Sequence, residues 1–194
     1  MLMIPWLCLS QNKLKDYPRN KFGVKVSNGI NHKYYKYSTN NFGLFTASPM
    51  YFCGIGAVYQ RELRVKSLYF QTGVNLVRRG YSTTAAYFGD AKFKQIGLNV
   101  NLPFKLAFRH HKFVFSIGTY YDKLIRYSAY LNGEATEFFI LKNGFSSNQI
   151  GGELSLGYWL NWKKERSTLI TLEYNIPVDI QINSIAVSLT YLFK

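Results

Sequence analysis

The ten residues from Ser184 to Phe193 constrain the fold more than any other stretch of this chain. Ile185, Val187, Leu189, Tyr191 and Phe193 fall on one side of an extended strand, and Ser184, Ala186, Ser188, Thr190 and Leu192 fall on the other. A period of two marks a strand whose faces meet different surroundings. One face is large, apolar and ends in aromatics. The other is small and mostly hydroxylic. A water-facing strand carries Lys, Glu or Arg on its polar side, whereas small polar groups suit a narrow, crowded interior. The pattern predicts the closing strand of a transmembrane β-barrel.

The same period recurs along the chain. Phe22, Val24 and Val26 alternate with Gly23, Lys25 and Ser27; the stretches 51–59, 68–76, 95–108, 113–122, 153–162 and 170–176 repeat the pattern. With the last strand these make eight, and no segment sustains a helical period. Short connections near 61–66, 109–112 and 163–167 alternate with long ones near 31–48, 80–91 and 127–147, with a short link near 178–183. Short turns on one side and long loops on the other are the asymmetry of outer-membrane barrels. The fold predicted is all-β: an eight-stranded antiparallel up-and-down transmembrane β-barrel, with both chain ends on the short-turn side. A two-residue turn at His110-His111 would pair Phe108 with Phe113, Leu106 with Phe115 and Lys105 with Ser116, matching like with like.

Composition fits this reading. Tyr (16) and Phe (15) supply most of an 18% aromatic fraction, and both favour strands. No run of about 18 apolar residues predicts a transmembrane helix, and a barrel needs none, because only alternate residues face lipid. Two cysteines, Cys8 and Cys53, give no disulfide framework. Residues 1–10 read as a signal-peptide remnant, 11–21 as a periplasmic segment, and 22–194 as the barrel domain.

The small, polar face suits the inside of an eight-stranded barrel, which has room only for side chains. The apolar face is therefore expected against lipid. A soluble lipocalin-like ligand-binding barrel, with the faces reversed, is the structural alternative. The lipid-facing arrangement turns Lys25, Lys105, Glu153 and Glu173 inward, where carboxylates and lysines are expected to form a charge network, because unpaired buried charge is costly. A carboxylate pair doing acid–base work is the functional alternative, and no motif supports it. Aqueous pores need about sixteen strands, so no solute channel is expected.

The net charge is +14. Most of it lies at strand ends. On the upper, long-loop rim, Arg78, Arg79, Lys92, Lys94, Lys123 and Arg126 are expected to meet lipid phosphates, with lipopolysaccharide outside. Tyr59, Trp162, Tyr191 and Phe193 at the lower end, and Tyr121 above, are candidates for aromatic girdles. The basic residues are dispersed at turns rather than gathered on a recognition element, which argues against nucleic acid. No metal site or cofactor is expected. His110 and His111 have no third ligand nearby in sequence, and His32 sits in a different loop. A lipid-modifying enzyme would need a Ser–His–acid set at the outer rim; only His32 is placed for it, with no serine tied to it by a motif.

Several stretches resemble the porin-family, PorT-type outer-membrane barrel domain of Bacteroidetes. They are Phe22-Gly-Val-Lys-Val26, Leu68-Tyr-Phe-Gln-Thr-Gly-Val74 with Arg79-Gly80-Tyr81, Gly97-Leu-Asn-Val-Asn-Leu-Pro-Phe-Lys-Leu106, Phe115-Ser-Ile-Gly118, Gly151-Gly-Glu-Leu-Ser-Leu-Gly157, Leu172-Glu-Tyr-Asn175 and Ser188-Leu-Thr-Tyr-Leu-Phe193. The resemblance covers roughly residues 20–194. It implies an integral outer-membrane location and a non-enzymatic role as an anchor or accessory subunit. The partners implied are secretion or surface-complex proteins, contacted through the external loops.

Overall fold

A computed structural model describes residues 20–33, 45–63, 67–85, 91–136, 147–162, 166–178 and 182–194. The segments read from sequence as a signal remnant (1–10), most of the periplasmic segment (11–21) and the centres of the external loops lie outside them. Ten strands follow in chain order: β1 (Asn20–Lys33), β2 (Phe45–Ser48), β3 (Met50–Glu62), β4 (Leu68–Ala85), β5 (Ala91–His110), β6 (Phe113–Leu131), β7 (Glu134–Thr136), β8 (Asn148–Trp162), β9 (Arg166–Pro177) and β10 (Ile182–Phe193). Eight long strands pair in the cyclic order β1-β3-β4-β5-β6-β8-β9-β10, and β10 returns to β1. All pairings are antiparallel, so the sheet is a closed eight-stranded up-and-down barrel, with β2 added to β4 and β7 to β6. Closure leaves none of the eight long strands as a free edge.

Alternation dictates the packing. In β10, Ser184, Ala186, Ser188, Thr190 and Leu192 are buried, while Ile185, Val187, Leu189, Tyr191 and Phe193 are exposed. The other long strands follow the same rule, so the large apolar side chains form the outer wall and the polar ones fill the interior. This is the reverse of a soluble ligand-binding barrel. The interior is apolar mainly near the lower end, where Val58, Tyr69, Ala107, Val114, Trp159, Leu169 and Leu192 pack into a plug, and a smaller cluster of Phe52, Val77 and Ala186 lies higher up.

The sequence reading and the structure differ in three places. The β5–β6 turn is His111-Lys112, so Phe108 faces Phe115, Leu106 faces Ile117 and Lys105 faces Gly118. A slip of two residues keeps every side chain on its face, so alternation alone cannot separate the two registers. Two local features favour the observed one: His111 takes a left-handed conformation (φ 53), and the Lys112 carbonyl accepts from the Trp159 N–H at 2.7 Å. Second, the stretches 80–91 and 127–147 are not simply loops. β4 runs to Ala85, β5 starts at Ala91, and β6 continues to Leu131 before a tight turn into β7. Third, β6 carries a bulge. Asn99 pairs with Leu124 but Leu98 pairs with Arg126, which leaves Ile125 as the extra residue and reverses the alternation above it. The β4–β5 ladder also skips a step beside Pro103, which has no N–H to give, and resumes in the same register.

Candidate functional site: a charged interior and a basic outer wall

Two polar tiers fill the barrel above the apolar plug. In the first, β1, β5, β8 and β9 contribute Lys25, Lys105, Glu153 and Glu173, all buried. Lys25 Nζ lies 2.6 Å from Glu173 Oε1, and donates to Oε2 at 2.8 Å. Lys105 Nζ pairs with Glu153 Oε1 and lies 3.5 Å from Glu173 Oε1. Ser188 adds a hydroxyl donor to Glu173 at 3.0 Å, and Ser116 and Ser155 share a hydrogen bond nearby on the β6–β8 pair. Register explains the meeting: Glu153 faces Asn175 and Ser155 faces Glu173, so the two carboxylates sit one inward rung apart on neighbouring strands. Gly118 lies opposite both Lys105 and Glu153, leaving their side chains space to meet.

The second tier joins Arg79, Asp122, Asn101 and Asn75. Asn75 Nδ2 donates to Asn101 Oδ1 at 3.0 Å, Asn101 Nδ2 donates to Asp122 Oδ1 at 2.6 Å, and Arg79 pairs with Asp122 Oδ2. The Arg79 guanidinium lies 5.4 Å from the Tyr120 ring centre and 6.0 Å from that of Phe52, within cation–π reach. Arg79 is therefore an interior residue and not part of the lipid-facing rim. Alternation continued from Leu76 places Arg78 outward and Arg79 inward; treating the two arginines as one basic rim feature concealed this. The inward side of Asp122 was legible by the same rule, but its partners on β4 and β5 were not. Between the tiers the ionic groups are three cations (Lys25, Arg79, Lys105) and three carboxylates (Asp122, Glu153, Glu173). Lys21, buried at the lower end, donates to Ser167 Oγ at 2.7 Å.

On the outer wall, Arg78, Lys92, Lys94, Lys123 and Arg126 are exposed. Arg78 faces Leu98, and Leu98 faces Arg126, so the two arginines flank one leucine across three strands. At the lower end Phe22 stacks on Tyr59 with ring centres 5.2 Å apart, and Tyr191 lies 6.3 Å from Phe193. Phe22 is the register partner of both Tyr59 and Phe193, which makes one continuous aromatic strip. Tyr121, near the upper end, donates its hydroxyl to Asn148 at 2.6 Å. The side chain of Trp162 lies outside the described set. His110 and His111 sit together at the lower turn, whereas His32 lies at the upper end of β1. Among the described residues no three His, Cys, Asp or Glu side chains converge as metal ligands.

The class of fold these observations define is a closed, filled eight-stranded barrel with an apolar outside. No protein-family model matches the chain, and no curated protein sequence matches it. Several solved structures are similar to it over most of its length. Neisserial surface protein A is 12% identical with a TM-score of 0.47, over 90% of this chain and 96% of that one. Ail, the attachment invasion locus protein of Yersinia pestis, is 10% identical with a TM-score of 0.46, over 90% and 98%. The outer membrane protein OprG of Pseudomonas aeruginosa is 14% identical with a TM-score of 0.41, over 90% and 93%.

Proposed function

We propose that the chain is an integral outer-membrane barrel of the porin-family, PorT-like kind, serving as an anchor or accessory subunit of a secretion or surface assembly. The observation that carries the membrane reading is the outer wall. Exposed large apolar side chains come from every long strand, among them Phe22, Ile55, Phe115, Leu156, Leu172 and Val187. A water-soluble monomer rarely exposes contiguous apolar surface beyond a few hundred Å². Along β10 the outward run from Phe193 to Ile185 covers about 26 Å of strand, or roughly 20 Å along the membrane normal at barrel tilt, near the usual ~25 Å apolar band. Closure also satisfies the ladder hydrogen bonds of the spanning sheet, as hydrocarbon requires.

The two filled tiers favour an anchor over a conduit, since they leave the bore occupied by side chains. Contact with partner proteins then falls to the upper end, where β4, β5 and β6 are the longest strands. The test is refolding of the urea-unfolded chain into phosphatidylcholine vesicles. The expected product is vesicle-bound, protected from protease over the strands, and runs at a different position on a gel when unheated. A monomer that stays in the aqueous phase without detergent refutes the membrane reading. Native mass spectrometry of the protein extracted in mild detergent then tests the accessory role: a defined particle larger than 22.5 kDa supports it, and a lone barrel refutes it.

A further inference from the structure

We infer that the outer wall of β4–β6 is a binding site for one phosphorylated membrane lipid, held by Arg78, Lys123 and Arg126 with Lys94 above them. This rests on the membrane reading and makes it specific. The cations are not a belt around the barrel. At the upper part of the other long strands, outer-face positions carry Ile30, Tyr51, Ile150, Ile176 and Ile185. Charge is concentrated on three adjacent strands, whose outer faces carry no carboxylate among the described residues. The Arg78–Leu98–Arg126 row puts the two arginine backbones about 10 Å apart, close enough for both long side chains to reach one headgroup. Lys123 faces Val100, one outward step lower, and Lys94 lies two outward steps above Leu98.

The bulge is the device that builds this site. Strict alternation through Lys123-Leu124-Ile125-Arg126 would turn Arg126 into the barrel. The extra residue at Ile125 reverses the alternation, so that Lys123, Ile125 and Arg126 all face outward. Bulges that re-aim a side chain are placed features rather than defects. Below the cations the wall is apolar, with Val74 on β4 and Leu102 and Phe104 on β5. Cations above a hydrocarbon-facing wall match an amphiphile with a phosphate head and acyl chains. A soluble polyanion would need only the charge.

The test uses the full chain in mild detergent, with diphosphoryl lipid A as probe and phosphatidylcholine as reference, read by native mass spectrometry. The wild-type barrel is expected to retain one lipid A. The R78Q/K123Q/R126Q variant is expected to bind it on the order of 100-fold more weakly, from about 1 kcal/mol for each cation near the lipid phosphate. A charge-matched variant at the lower end, R61Q/R166Q/K194Q, is expected to bind as the wild type does. Equal loss in both variants, or retention by the first, overturns the site. Displacement by millimolar inorganic phosphate overturns the lipid as occupant. Refolding into vesicles separates the two proposals: a barrel that inserts but does not discriminate refutes the site alone, and one that binds lipid A but never inserts refutes the membrane reading alone.

Discussion

Lys105 is the residue whose loss the interior should tolerate least. It is 3% exposed and is the common partner of Glu153 and Glu173. In Lys105→Met, Glu173 keeps Lys25 at 2.6 Å and the Ser188 hydroxyl, so the orphaned charge falls on Glu153. Breaking a buried pair by removing one partner costs ~3–5 kcal/mol, because the other charge stays buried without compensation. Lys25→Met should cost less, since Glu173 then retains Lys105 and Ser188. Removing both members of the tighter pair, in Lys105→Met/Glu153→Met, should bring stability back to within about 1 kcal/mol of wild type, since replacing a whole buried pair by apolar groups is often neutral. The double-mutant cycle is therefore expected to show coupling of at least ~2 kcal/mol. Reversible urea unfolding from vesicles, followed by intrinsic fluorescence and the unheated gel shift, supplies all four free energies. Additive single costs, or a Lys105→Met penalty below about 1 kcal/mol, would refute the view that the tier is a coupled ionic unit.

Three further outcomes follow from packing and from the outer wall. A Cβ on Gly151 would overlap the phenol end of the Tyr120 side chain, so Gly151→Ala is expected to cost about 1–3 kcal/mol by urea unfolding, with Tyr120→Leu in the same chain recovering most of it. Val187 is exposed at mid-strand on β10, and Val187→Arg should lower folding free energy in vesicles by ~2–4 kcal/mol; a change under about 0.5 kcal/mol would mean that this wall does not face hydrocarbon. Proteoliposomes loaded with impermeant dextran and holding the wild-type barrel should not swell in an isosmotic bath of a small sugar, because eight strands enclose space only for side chains; rapid swelling would show an open bore.

Much of this was legible from alternation alone. The inward positions of Lys25, Lys105, Glu153 and Glu173 follow from strand parity, because a side chain has only two faces to choose from. Which of them touch is a matter of register, and register depends on turns. The β5–β6 turn shows the limit: registers built on His110-His111 and on His111-Lys112 put the same residues inside, and only backbone conformation and the Trp159–Lys112 hydrogen bond separate them. The Arg79–Asp122 pair needed parity to be carried three residues beyond Leu76, the last outward apolar residue of that strand. The long upper connections hid strand because the extensions above the apolar outer wall lack the regular alternation that marks the strands below. β4 continues through Ser82 and Thr84, and β5 begins with Lys92 and Lys94 pointing out.

The bulge at Ile125 was not legible, and its effect on the charge pattern is the larger lesson. One extra residue decides whether Arg126 joins the interior or the wall. With it, the two interior tiers carry equal numbers of positive and negative groups, and the barrel excludes uncompensated charge from its low-dielectric centre. Without it, a fourth cation would enter the bore near Arg79 with no carboxylate to meet it. The two tiers therefore add nothing to the net charge of +14. A strongly basic chain of this size ordinarily suggests a polyanion such as nucleic acid. Here the fold divides the charge before any partner arrives: two charge-balanced tiers inside, and a one-sided cationic face beside an apolar wall outside.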